Sequence, residues 1–136
     1  MLLCDSAEVV NNKLYILGGG WSVVEANRVQ MALAIKIEVP WDRTNHPHSM
    51  ALRLLTEDGT PVTLRGEDGS DNPVAVEGRF EVGRPPGLTP GTALDFPMAL
   101  SMGTIPLGPG RYTWRLDIDE ESDPTWQVDF TVKAAT

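Results

Sequence analysis

"MALAIKIEV", residues 31–39, decides how this chain folds. Met31, Leu33, Ile35, Ile37 and Val39 fall on one parity, and Ala32, Ala34, Lys36 and Glu38 on the other. A period of two lines apolar groups along one face of an extended strand, whereas a helix would space them by three and four. The alternation returns in "VAVEGRFEV" (74–82), where Val74, Val76, Phe80 and Val82 oppose Glu77, Arg79 and Glu81. In "RYTWRLDID" (111–119) it sets Tyr112, Trp114, Leu116 and Ile118 against Arg111, Thr113, Arg115, Asp117 and Asp119. In "TWQVDFTVK" (125–133) the apolar parity is Trp126, Val128, Phe130 and Val132. Further strands are predicted over 2–9, 13–24, 49–56, 60–65 and 93–102, about nine in all and each of ordinary length. No segment carries helical periodicity.

Turn chemistry separates these strands, at "TEDGT" (56–60), "GEDGSDNP" (66–73), "GRPPGLTPG" (83–91), "IPLGPG" (105–110) and "EESDP" (120–124). Short strands with one apolar face predict an all-β fold: a two-sheet antiparallel β-sandwich of immunoglobulin-like or related Greek-key topology. A parallel sheet flanked by helices would need strands that are apolar on both faces. The expected core is Leu33, Ile35, Ile37, Val76, Phe80, Trp114, Leu116, Val128 and Phe130. Pro97 lies on the outward parity of its strand and cannot donate to a ladder, so it predicts an edge strand or a bulge.

One stretch competes with this reading. "LYILGGGWSVV" (14–24) has the outline of a strand running into a phosphate loop. A dinucleotide loop needs G-x-G-x-x-G between a strand and a helix. Here Gly18 and Gly20 are followed by Val23, "WSVVEANRVQ" offers no helix, and no Walker lysine follows. The glycines are therefore read as a bulge or sharp bend in a long second strand.

A chain of 136 residues fits a single domain, 1–136. With 11 Lys and Arg against 19 Asp and Glu the formal charge is −8, which disfavours polyphosphate and anionic lipid, so neither nucleic acid nor membrane is expected as a partner. The one cysteine, Cys4, has no internal disulfide partner and is expected to be a buried thiol. "MLLCDS" lacks the basic start and long apolar run of a lipoprotein leader, and no transmembrane stretch follows. The expected setting is cytoplasmic.

The set "KLYILGGGW", "LAIKIEVPWD", "LLTEDGTPV", "VEGRFEVGRPPGLTPGT" and "LGPGRYTWRLDID" resembles a family of short, functionally uncharacterised actinobacterial proteins, described only as a domain of unknown function. The resemblance covers nearly the whole chain. It implies a small intracellular sandwich and supplies no active-site residue.

Candidate chemistry is sparse. "VPWDRTNHPH" (39–48) holds His46 and His48 near Asp42, and Pro47 between them favours an extended backbone on which both rings and the carboxylate could share a metal. No companion His or Cys pair stands at metal spacing, so the residues are read as a solvated loop capped by Trp41 and no metal is assigned. If the chain runs simply up and down, Glu57, Asp58, Asp117, Asp119, Glu120, Glu121 and Asp123 meet at one end together with Glu25, a set of oxygens suited to calcium. The other end would then hold "GEDGSDN" and the histidine loop. Acidic hairpin tips are also ordinary in so acidic a chain.

No serine stands in a G-x-S-x-G turn, and no acid, base and orienting group can be named together, so no catalytic residue and no cofactor is assigned. The expected function is a non-enzymatic interaction or assembly module that binds another protein or itself through an edge strand or through loops bearing Trp41, Arg43 and Arg84. The alternative is a tip-loop binder of calcium, a small polar molecule or a carbohydrate.

Overall fold

The computed structural model describes residues 1–134. Among them the fold is all-β, with one 3-10 turn at Trp41–Arg43 and no α-helix. Strands β1 (Leu2–Val10), β2 (Lys13–Gly19), β4 (Asn27–Val39) and β9 (Leu94–Leu107) form a four-stranded sheet in the order β2-β1-β4-β9. Strands β3 (Val23–Glu25), β5 (Pro47–Thr56), β8 (Ala75–Glu81), β10 (Gly110–Ile118) and β11 (Glu121–Lys133) form a five-stranded sheet in the order β3-β11-β10-β5-β8. A small ribbon of β6 (Thr63–Arg65) and β7 (Asp71–Pro73) stands apart.

One apolar cluster joins the two sheets. From the first come Leu3, Met31, Leu33, Ile35 and Ile105; from the second Leu52, Leu54, Phe80, Trp114, Leu116 and Phe130. The Trp114 indole N–H, fully enclosed, donates to Met31 Sδ across the two sheets at 3.2 Å. Of the expected core, Leu33, Ile35, Phe80, Trp114, Leu116 and Phe130 are buried, while Ile37, Val76 and Val128 are half-buried against the cluster. The alternating parity therefore chose the inward face correctly.

The architecture departs from a plain antiparallel pair of sheets in two respects. First, the expected strand 13–24 is two strands in different sheets. β2 ends at Gly19, and β3 pairs in parallel with β11, matching Val23 to Thr131 and Glu25 to Lys133. The crossing is made at the glycines. Gly18 and Gly20 have φ of +60° and +89°, and a Cβ on Gly18 would lie 2.1 Å from Asp5 Oδ2. The triple glycine is thus a sharp bend, as expected, and it also carries the chain from one sheet to the other.

Second, the first sheet curls. β1 pairs with β4 only at Leu2, Leu3 and Cys4, whereas its pairing with β2 continues to Val10. Beyond Cys4 the β1–β2 hairpin is a ribbon that comes against β9. Ala7 and Leu14 pack there on a second small cluster of Cys4, Ala32 and Ala34. This overturns the outward assignment of Ala32 and Ala34, both of which are buried. Small side chains permit the close approach, and an isolated two-stranded ribbon needs such a support. Cys4 is the buried thiol expected, its S–H directed at the Ala32 carbonyl at 3.5 Å. Burial raises its pKa, with the Asp5 carboxylate adding to the effect. Pro97 does lie on an edge strand, β9, but it is buried rather than outward, because the curled hairpin runs against that strand. The "GRPPGLTPG" loop joins β8 to β9 and so crosses between sheets.

Candidate functional site

The register of β5 against β10 settles which turns meet. Thr56 lies opposite Tyr112 and Met50 opposite Ile118, so "TEDGT" and "DIDEESDP" occupy opposite ends of the sheet. This corrects the expected calcium cluster: Glu57 and Asp58 are remote from Asp119, Glu120, Glu121 and Asp123. Glu25 pairs with Lys133 at 2.9 Å, beside the end of β11 that faces the start of β10. The β6–β7 ribbon springs from the level of Leu54 and Val74, away from the histidine loop it was expected to join.

Each acidic tip folds on itself. Asp58 accepts from the Thr56 and Thr60 turn, Asp68 from Ser70 and Asp123 from Thr125, and these hydroxyl and amide bonds hold all three carboxyls below their ordinary range. Asp117 sits between Arg53 at 2.8 Å and Arg115 at 3.4 Å on the outer face of the second sheet. No group of three or more His, Cys, Asp or Glu side chains fit to hold a metal exists among the described residues.

The histidine loop meets the β10–β11 turn instead. His48 is buried, with Nδ1 at 2.7 Å from Asp119 Oδ2 and Nε2 at 2.8 Å from the Arg43 carbonyl. Asp119 Oδ1 also accepts the Ser49 amide at 3.0 Å. The bond to Asp119 raises the His48 pKa, the Arg43 carbonyl adds to this and burial opposes it; the same bond lowers Asp119. The imidazole stacks on Phe80, 5.3 Å between centroids, and Phe80 stacks on Phe96 at 4.8 Å. His46 is exposed, and both His48 nitrogens are engaged within the chain, which leaves His48 none for a metal shared with His46.

Trp41 and Arg84 are brought together, but they are occupied with each other. The guanidinium lies 4.1 Å from the indole centroid. Its Nε donates to Thr44 Oγ1 at 2.6 Å, and its terminal N–H to the Trp41 carbonyl at 2.5 Å. A cation–π pair with two guanidinium hydrogen bonds clamps the two loops. The Arg43 side chain is exposed, and it lines a cleft of about 260 Å³ with Ile37, Phe80, Ile118 and Trp126. Trp41 and Arg84 thus tie two loops together at this end of the molecule.

The most open surface is elsewhere. On β2, Tyr15 and Leu17 are 53% and 71% exposed. Asn11 and Asn12 have φ of 51° and 60°, a two-residue type I′ turn that matches the twist of a hairpin. The flanking pair, Val10 with Lys13, is then hydrogen-bonded, and alternate pairs are not. Leu14 and Ile16 accordingly aim their N–H and C=O away from β1, and no strand pairs with β2 on that side.

The other edges are protected by features that usually prevent strand addition. β9 carries Pro97, Pro106 and a register shift opposite Met31 and Ala32. β8 presents Glu77, Arg79 and Glu81, and β3 has only three residues. The free side of β1 beyond Cys4 carries Asp5 and Glu8. Between Lys13 and Gly19, β2 has no charge and no proline. The sequence signal for this site was "NNKLYIL": an Asn-Asn hairpin turn followed by four apolar residues on both parities, more than one buried face requires.

No helix among the described residues is long and apolar enough to cross a membrane. No curated protein and no solved structure matches the chain. From Met1 to Lys133, however, the sequence fits one described family, so the chain belongs to the Family of unknown function (DUF6941), matched over residues 1–133.

Proposed function

We propose that this protein is a non-enzymatic protein-binding module, a sandwich related to Greek-key and immunoglobulin-like folds, that accepts an extended segment of another protein along β2. The carrying observation is the contrast among edges: after Lys13, β2 lacks the charge, proline or shortness found on the others. An added strand would take the outward backbone groups of Leu14 and Ile16, and its alternate side chains would lie beside Tyr15 and Leu17. The occupant is an extended segment with apolar residues at alternate positions and neutral or basic neighbours, since the chain carries −8 overall. A lone, buried Cys4 thiol suits a reducing, cytoplasmic setting.

Selection of peptides from a random displayed library, followed by amide hydrogen exchange on the complex, tests this reading. Bound peptides should protect the Leu14 and Ile16 amides, and Ile16→Pro should abolish binding while leaving the circular dichroism spectrum unchanged. Protection confined to the Trp41 and Arg84 loops would transfer the site there. Failure to select any peptide, with the protein monomeric, would overturn the module reading.

A further inference from the structure

His48 bridges two segments of chain that both line the cleft. The first supplies Val39, Pro40 and Arg43, from the end of β4 and the 3-10 turn; the second supplies Ile118, Asp119, Glu121 and Trp126, from the β10–β11 turn and its flanks. Both groups that face the ring nitrogens can only accept: a carboxylate oxygen at 2.7 Å and a peptide carbonyl at 2.8 Å. A neutral imidazole has one N–H and one lone pair, so either tautomer would set a lone pair against an acceptor at hydrogen-bond distance. The geometry is satisfied only by an imidazolium.

We propose that His48 is a proton-controlled latch: with both ring nitrogens protonated it ties the Trp41–Arg43 turn to the β10–β11 turn, and loss of one proton releases the Arg43 carbonyl and loosens the mouth of the cleft. The direction of release follows from bond strength. A neutral ring keeps its single N–H on the Asp119 carboxylate, the charge-assisted partner, and Asp119 stays anchored by the Ser49 amide. The Arg43 side remains held to the β8–β9 loop, through Asn45 N–H on the Val82 carbonyl at 2.7 Å and the Arg84 clamp. Opening is therefore a separation of the 41–45 segment, moving with that loop, from the β10–β11 turn.

The charges around the ring decide where this happens. Asp119 and Glu121 stand in the turn and at the start of β11, Glu38 on β4, and Arg43 on the loop, while β8 presents the Phe80 ring. The bond to Asp119 outweighs burial and the Arg43 charge, so His48 holds its proton above its ordinary range. A group raised on folding stabilises the native state fully below about pH 6.5, its unfolded value. That contribution is lost as pH rises through the folded value.

Nitrogen-15 NMR of the imidazole, titrated on the full chain, reads the latch directly. The ring midpoint should lie above the ordinary histidine value, with both nitrogens protonated below it, and the amide shifts of Arg43, Thr44 and Asn45 should change with the same midpoint. In melting scans the advantage of the wild type over His48→Gln should be larger below about pH 6.5 than above that midpoint, where it should level off. Asp119→Asn, which keeps an acceptor but removes the charge, should bring the midpoint down. A ring midpoint at or below the ordinary histidine value, or loop amides that do not follow the ring, would overturn the latch. The wild-type titration decides the matter even if His48→Gln does not fold.

Discussion

The histidine end and the β1–β2 hairpin are opposites in how they use their chemistry. Around His48 nearly every polar group has a partner within the chain: imidazole with carboxylate and carbonyl, guanidinium with hydroxyl, carbonyl and indole. Along β2 the backbone groups of Leu14 and Ile16 pair with no strand, and Leu17 stands in solvent. Residue types that look reactive in a sequence are often spent on internal ties, since a charged or aromatic group near the core must be satisfied to sit there at all. An apolar strand looks like core until its place at a free edge is known.

Both regions hang on one core, so the largest expected effect is common to them. Trp114→Ala removes a fully buried indole and should cost about 3–5 kcal/mol in denaturant unfolding; a loss under about 1 kcal/mol would mean the wrong face has been taken as inward. Next comes the hairpin bend. Gly18→Ala must displace Asp5 and place a Cβ at positive φ, which should cost about 1–3 kcal/mol. Asp5→Ala in the same chain should recover part of that loss, and strict additivity of the two would show that Asp5 does not fill the glycine's space.

The comparison sharpens at Arg84. Arg84→Ala should lower stability by about 1 kcal/mol through loss of the stack and its hydrogen bonds, yet leave binding of a selected peptide unchanged. Loss of binding with unaltered stability would move the site to the loops. Leu17→Lys should show the smallest effect on folding, within about 0.5 kcal/mol for so exposed a position, while weakening peptide binding more than tenfold in a fluorescence titration. A stability loss as large as that of Gly18→Ala would show that Leu17 belongs to the packed structure and not to a free edge.

Parity made the strands legible. Met31, Leu33 and Ile35 point inward as their alternation demands, and Trp114 with Leu116 does the same from the other sheet. What parity could not supply was the partner of each strand. Ala32 and Ala34 read as outward because nothing local announces that a hairpin from the start of the chain will cover them. The turn at 119 was assigned to the wrong end because β10 pairs with β5, a choice made across the fold. His48 and Asp119 are 71 residues apart, so their bond had no local signature. The Trp41 and Arg84 loops were recognisable as notable, but their mutual stacking depends on the β8–β9 crossing that brings them together. The β2 site was hidden for the converse reason: an apolar strand is ordinarily a buried one, and only its position in the sheet makes it an edge.

The parallel pairing of β3 with β11 also bears on the order of assembly. Residues 23–25 wait for 131–133 before they have a ladder, and loop closure of that span must precede any gain from the pairing. The Gly18–Gly20 crossing therefore docks late during synthesis, after β10 and most of β11 have emerged. Until then Trp21, which ends edge-on to Phe130 at 6.1 Å, has no ring to meet. Such distant pairings place folding on the slow, millisecond-to-second side of the range for small domains.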